Sequence, residues 1–258
     1  MDLYRDPLLY DLVYRGATAD QFASLRRISD ALGLPAGGPW LETACGSARL
    51  LEAAAGAGIT VAGFDLEPAM VDFARARLPA SSEIHVADLV DCAAPFAGRT
   101  FPFAFTLVNT IRHLPDDDAL LAHFRAMAAL LAPAGRYVIG LSLARPGIDE
   151  IEEDVWRGGE GDLTVTELST TLPAEPGSRS ETIISHLTIE RAGREPEHRT
   201  ESFPLRTYTH EEWEQVVGRS ALQVAEVFDL WGEPTTPFSG GYFLYSLSLR
   251  GEEAGVDR

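Results

Sequence analysis

The chain has 258 residues, 45% of them hydrophobic, and carries 39 acidic against 21 basic residues, a formal net charge of -18 at pH 7. It contains no lysine. Such a balance excludes a protein that holds nucleic acid or anionic lipid through a general positive field, and it mildly favours an amine among small substrates. The two cysteines, Cys45 and Cys92, form neither a metal-ligand spacing nor a disulfide framework, and no apolar run is long enough to span a membrane. The first residues lack the basic-then-apolar pattern of a secretory signal. The expectation is one cytoplasmic domain with an elaborated insertion, with no metal.

In chain order, Pro7 followed by Leu8, Leu9, Leu12 and Val13 predicts a short helix. Phe22, Leu25, Ile28 and Leu32 share one face of a second helix over 21–32. The run Pro35-Ala36-Gly37-Gly38-Pro39 then breaks the chain. Next comes the stretch that organises the rest. Trp40 and Leu41 lead into Glu42; small residues follow at Ala44, Cys45, Gly46, Ser47 and Ala48; a helical pattern opens with Leu50, Leu51 and Ala54. This reads as strand, tight turn, helix, with small side chains that let a ligand approach backbone amides at the helix start. A buried strand over 59–64 ends on Asp65. The spacing from Glu42 is close to that at which a nucleotide fold places the acid that accepts both ribose hydroxyl protons. A helix from Pro68 stops before Pro79, and a strand over 83–86 brings Asp88 and Leu89 to its carboxyl end, where open α/β sheets bind ligands.

Residues 90–101 read as a loop. The fourth strand, 103–108, ends in Asn109-Thr110-Ile111-Arg112-His113-Leu114, and His113 is a candidate general base because an imidazole titrates near neutral pH. Asp116, Asp117 and Asp118 open the next helix, whose apolar face is Leu120, Leu121, Phe124, Met127, Leu130 and Leu131. A turn at 133–136 precedes a fifth strand over 137–143. Residues 144–163 are rich in acids and glycine and read as a solvated stretch. Runs at 163–172, 181–191 and 198–205 predict an antiparallel excursion of two or three strands. Thr209-His210-Glu211-Glu212 predicts a capping box before a helix over 211–218. Strands over 221–230 and 242–249 then close the sheet as an antiparallel hairpin, and residues 251–258 read as a disordered tail.

Residues 41–49 resemble motif I of the class I S-adenosylmethionine (SAM)-dependent methyltransferases. Glu42 and Gly46 keep its acid and middle glycine; Ala44 and Ala48 stand for the outer two glycines. The segments FDLEPAM at 64–70 and VADL at 86–89 resemble the next two motifs in order, and Leu-x-Pro-x-Gly-Arg at 131–136 matches a further one. The likeness covers roughly residues 10–250.

The resemblance implies an α/β fold. Its core would be a Rossmann-like, seven-stranded, mostly parallel sheet with helices on both faces, plus a small antiparallel β insertion. By the same resemblance, residues 1–38 form a helical lid, 39–143 the SAM-binding core, 144–207 a substrate cover or homodimer contact, and 208–250 the rest of the core. SAM would be held by Glu42, Ala44, Gly46, Asp65, Leu66, Met70, Asp88 at the adenine amino group, Leu89 at the ring, Asn109, and Tyr14 at the methionine end. Arg112, His113, Trp156, His186, Phe203, Arg206 and Tyr208 are the candidates to contact the acceptor. The implied reaction moves a methyl group to N or O of a small molecule such as an amine, an amino sugar or a natural product, and leaves S-adenosyl-L-homocysteine. Two alternatives stay open at this level. One is a dinucleotide site, although the turn lacks the G-x-G-x-x-G run a pyrophosphate uses. The other is a methyltransferase-like protein that only binds, or that uses SAM without methylating. Alanine at 44 and 48 is compatible with a cofactor if the backbone there needs no positive φ.

Overall fold

The computed structural model describes residues 3–145, 147 and 150–251. The expected disordered tail lies outside these residues, apart from Gly251. The chain opens with a 3-10 turn at Leu3–Arg5 and two helices, α1 (Pro7–Tyr14) and α2 (Thr18–Ala31). Asp6 caps α1 by accepting from the Leu9 amide, and Pro7 sits in the first turn, where its missing donor costs nothing.

Strand β1 (Trp40–Thr43) then alternates with helices through α3 (Arg49–Gly56), β2 (Val61–Asp65), α4 (Pro68–Arg77), β3 (Glu83–Val86), β4 (Phe101–Thr106), α5 (Asp117–Leu130) and β5 (Leu131–Ser142). After the insertion come α6 (His210–Gly218), β10 (Leu222–Phe228) and β11 (Tyr242–Leu249). The seven-stranded sheet runs β10-β11-β5-β4-β1-β2-β3, and β11 alone is antiparallel to its neighbours.

Alternation along the central strands explains the two layers. Leu41 and Ala104 face the layer of α5 and α6. Trp40, Phe103 and Phe105 face that of α2, α3 and α4. All four residues of β1 are buried, as suits a parallel strand covered on both faces. The predicted capping box is present, with Thr209 and Glu212 each bonding the other's backbone amide. The turn expected at 133–136 is instead a bulge inside β5, where the pairing jumps from Phe101↔Leu131 to Phe103↔Arg136.

The insertion corrects one expectation. It is a four-stranded antiparallel sheet, β6 (Glu152–Glu160), β7 (Leu163–Leu172), β8 (Ser180–Arg191) and β9 (Glu197–Arg206). The additional strand, β6, comes from the stretch read as solvated. It is an exposed edge strand, and its acids suit an edge that must not recruit further chains. Its glycines have a second reason: a Cβ at Gly158 would collide with the carbonyl of Leu12 in α1. Helix α1 lies directly on this sheet, and Leu3, Leu9, Leu12 and Val13 form one apolar cluster with Val165, Leu187 and Ile189.

Candidate active site

The turn after β1 sits at the carboxyl ends of β1 and β2. Ala44, Gly46 and Ala48 all have positive φ, at 51°, 52° and 57°. The two alanines thus keep the left-handed backbone of the glycines they replace, at roughly 1–2 kcal/mol each. The turn is held by Asp65, whose Oδ2 accepts from the Gly46 amide at 2.7 Å and whose Oδ1 accepts from the Glu67 amide at 3.0 Å. Burial raises the Asp65 carboxyl above its usual range, against the pull of those amides. Glu42 is 7% exposed, and its Oε2 has no hydrogen-bond partner. Burial, opposed by Arg49 and reinforced by the charge of Asp65, pushes its pKa up to about 8.

Beside this turn, Leu66, Val86 and Val90 project exposed aliphatic side chains near the tips of β2 and β3. Asp88 lies among them, exposed, and caps the next turn through the Val90 amide. Leu89 is half-buried against the core. Met70 departs from expectation: at 1% exposed it is packed into α4's buried face, and its side chain offers a ligand no surface.

Helix α1 covers the turn. The ring of Tyr10 rests on Gly46, so close that a Cβ there would stand 2.8 Å from Tyr10 Cε1. Tyr10 is thus the tyrosine of α1 that lies on the turn, whereas Tyr14, one helical turn on, donates its hydroxyl proton to Glu167 Oε2 at 2.9 Å. Asp11, fully buried, fastens the helix down. It accepts from Ser47 Oγ at 2.8 Å, Arg77 Nη1 at 2.6 Å and Arg15 Nη2 at 2.6 Å. Burial pushes its pKa upward, but these bonds outweigh it and hold the carboxyl below the usual range.

At the tip of β4, Val108 and Asn109 are consecutive left-handed residues, with φ 55° and 61°. A β-branched residue in that conformation is strained, and such strain gathers at functional sites. Three bonds fix it: Tyr242's hydroxyl accepts from the Val108 amide at 3.0 Å, and the Asn109 carboxamide pairs with Ser142 through both its ends. Beyond this tip a chamber opens between α1, the insertion sheet and the turn at Thr110–His113. Its inner lobe, about 160 Å³, is lined by Tyr4, Tyr14, His113, Trp156, Glu167 and Phe203, among others. A larger lobe of about 580 Å³ continues toward the end of β5.

His113 faces the inner lobe with Tyr4's hydroxyl 3.4 Å from Nε2 and the Phe203 ring at 5.6 Å. Burial, with Arg112 adding, lowers its pKa to about 4. Glu167 accepts from Ser185 Oγ at 2.6 Å as well as from Tyr14, and burial raises its pKa. Trp156 stacks at a tilt on Tyr14, 5.5 Å between ring centres.

The remaining candidates are structural. Arg112 is a buried clamp that donates to the carbonyl of residue 206 at 2.7 Å and pairs with Glu181, although its edge touches both lobes. His186 points to solvent and pairs with Thr200 at 2.7 Å. Arg206 binds Asp117 at 2.8 Å, and Tyr208 is fully buried against Trp213. The last three are corrections, because strand alternation without a known register cannot say which face a residue takes. Tyr4, Tyr10 and Glu167 also border the candidate site and are not singled out by the sequence reading; the run from Tyr10 to Tyr14 hints at Tyr10, and nothing in the sequence marks Glu167.

A family model described as "Methyltransferase domain" matches residues 41–135, the segment that builds the turn, Asp65, Asp88 and the β4 tip. This match makes the segment a SAM-dependent methyltransferase domain. Over 251 residues it is 27% identical to the dTDP-3-amino-3,6-dideoxy-alpha-D-glucopyranose N,N-dimethyltransferase of Streptomyces fradiae, which covers 95% of this chain and 91% of that protein. Over 105 residues it is 36% identical to the ubiquinone biosynthesis O-methyltransferase of Xanthomonas axonopodis, 40% of this chain and 42% of the other. Among solved structures, the sugar N-methyltransferase KedS8 from a Streptoalloteichus species superposes with a TM-score of 0.71 at 26% identity, covering 92% of this chain and 91% of that one.

The methyltransferase's residues fit its cofactor, SAM. The unpartnered Oε2 of Glu42 suits a cationic group, since a nearby positive charge would let that buried carboxyl ionise. A pyrophosphate beside Glu42 would meet like charge instead. The aliphatic surfaces of Leu66, Val86 and Val90 suit a purine face, and Asp65 is already oriented by two amides for a ribose diol.

Proposed function

We propose that this methyltransferase methylates the amino nitrogen of a small, sugar-like molecule. The observation that carries this reading is the inner lobe. There the rings of Tyr4, Tyr14, Trp156 and Phe203 and the carboxylates of Glu167 and Glu201 surround a space bordered by the strained β4 tip. Aromatic faces and carboxylates together favour an amine over a phenol or an acid. The likeness to an amino-sugar N,N-dimethyltransferase over nearly the whole chain supports it.

SAM supplies a methyl group already activated on its sulfonium. The protein's part is to place the acceptor nitrogen, exclude water and take up a proton. In this reading Glu42, Gly46, Asp65 and Asp88 bind the cofactor, Leu66 and Leu89 flank its base, and Asn109 holds the strained tip beside it. His113 is the candidate base at Nε2. With its pKa near 4 it is uncharged throughout the neutral range, so it can accept a proton, but weakly. The acceptor must therefore reach the lobe as a free amine or shed its proton with little help. The rate should rise with pH up to the amine's own pKa and show no step near 6.5, the usual histidine value.

The test is transfer of labelled methyl from SAM to a panel of amino sugars, simple amines and phenols. Labelling confined to phenols would reject N-methylation.

A further inference from the structure

We propose that the acceptor is an amino sugar free of phosphate, held as a glycoside on a neutral or cationic partner, and not one activated on a nucleoside diphosphate. The inference rests on the N-methylation reading and narrows its substrate. It starts from the connection between the two lobes. Asn109, Arg112, Asp154 and Thr171 line both, so a molecule whose nitrogen lies in the inner lobe must run its remainder through the outer one. At about 580 Å³ the outer lobe has the size of an ordinary ligand site and can take a further sugar ring.

The charges of that outer lobe select against an anion. Its described lining includes the carboxylates of Glu150, Glu152, Asp154, Glu175, Glu181 and Glu212, against only the guanidiniums of Arg112, Arg145 and Arg179. Each of the three arginines is already in an ion pair, and Arg179 Nη2 is buried without a hydrogen-bond partner. Arg112 pairs with Glu181, Arg145 with Glu152 and Glu150, and Arg179 with Asp117 at 3.1 Å and Glu212 at 3.3 Å. A diphosphate is normally held by forked guanidiniums or by the amides at a helix start. Among the described residues, the helix that opens on this lobe is α6, and its first turn is capped by Thr209 and Glu212, which line the lobe themselves. The chain has no lysine to add. Hydroxyl and ammonium groups, by contrast, can donate to every carboxylate there. The net charge of -18 acts the same way at long range, drawing cations in and slowing anions.

The experiment compares one amino sugar in two forms, methyl 3-amino-3-deoxyglucoside and the dTDP ester of the same sugar. Calorimetry on the protein saturated with S-adenosylhomocysteine gives binding, and methyl transfer from SAM gives kcat/KM. The expected result is a preference of about tenfold or more for the glycoside, which shrinks as salt screens the lobe. Equal or better use of the dTDP sugar overturns the proposal, as does failure to bind the glycoside. Failure to bind SAM or S-adenosylhomocysteine would instead sink the function on which it rests. The paired variant Glu150→Gln with Glu152→Gln frees Arg145. It should shift the ratio of the two kcat/KM values several-fold toward the dTDP sugar, and an unchanged ratio overturns the assignment of selectivity to this wall.

Discussion

The crevice proposed for the cofactor and the chamber proposed for the acceptor lie side by side but are built in opposite ways. The crevice comes from a short run of chain, from Glu42 to Leu89, and works largely through backbone: amides at a turn, strand ends, and two carboxylates that those amides and the fold hold in place. The chamber is assembled from Tyr4, Tyr14, His113, Trp156, Glu167 and Phe203, which belong to the N-terminal segment, the β4 tip and three insertion strands. A site made from one contiguous motif constrains its sequence locally. A site made where distant elements meet constrains only shape and charge.

That contrast can be broken by substitution. Asp65→Ala removes both a ligand acceptor and the bond that shapes the turn, so SAM affinity should fall about a hundredfold by calorimetry while the fold persists; a loss below threefold would mean the crevice is not organised around it. Gly158→Ala should force α1 off the insertion sheet, lowering stability by about 2 kcal/mol and weakening acceptor binding more than SAM binding. Equal weakening of both would show the two sites are not separable. His113→Asn keeps the ring's approximate bulk but not its basicity. It should lower kcat about tenfold with SAM affinity unchanged; normal kcat would make His113 a wall residue.

The smallest effects sharpen the picture of the crevice. Ala44→Gly and Ala48→Gly each relieve a left-handed alanine and should raise stability by about 1 kcal/mol, seen as a higher melting temperature. The buried Glu42 gives a pH signature. Its folded pKa of about 8 lies above the unfolded value of 4.5, so the folded state holds the proton longer and stability falls as pH rises through that window. Glu42→Gln should flatten the slope in thermal denaturation of the free protein.

The proposed crevice is legible in the sequence because its elements are tied to position along the chain: an acid at a strand end, small residues in a turn, a second acid one βα unit on. The sequence fails at Met70, because a helix motif does not say which residue turns inward. It also does not tell which tyrosine of α1 rests on the turn, because Tyr10 and Tyr14 lie on the same face of the helix and only the docking angle separates them. The chamber was mostly hidden. Glu167 looks like any polar residue in a strand until Tyr14 and Ser185 are brought to it. The acidic run around Glu152 is exposed, as its composition implies, yet it forms an edge strand because the neighbouring strand pairs with it along its whole length.

Helix α1 is a party wall. One side carries Tyr10 and Asp11 against the motif turn, and the other carries Leu9, Leu12 and Val13 against the insertion. Any swing of this helix wide enough to let the spent donor leave also unroofs the compartment next door. If an acceptor nitrogen can take more than one methyl group, it would be let go after the first, so singly methylated product should accumulate in solution first.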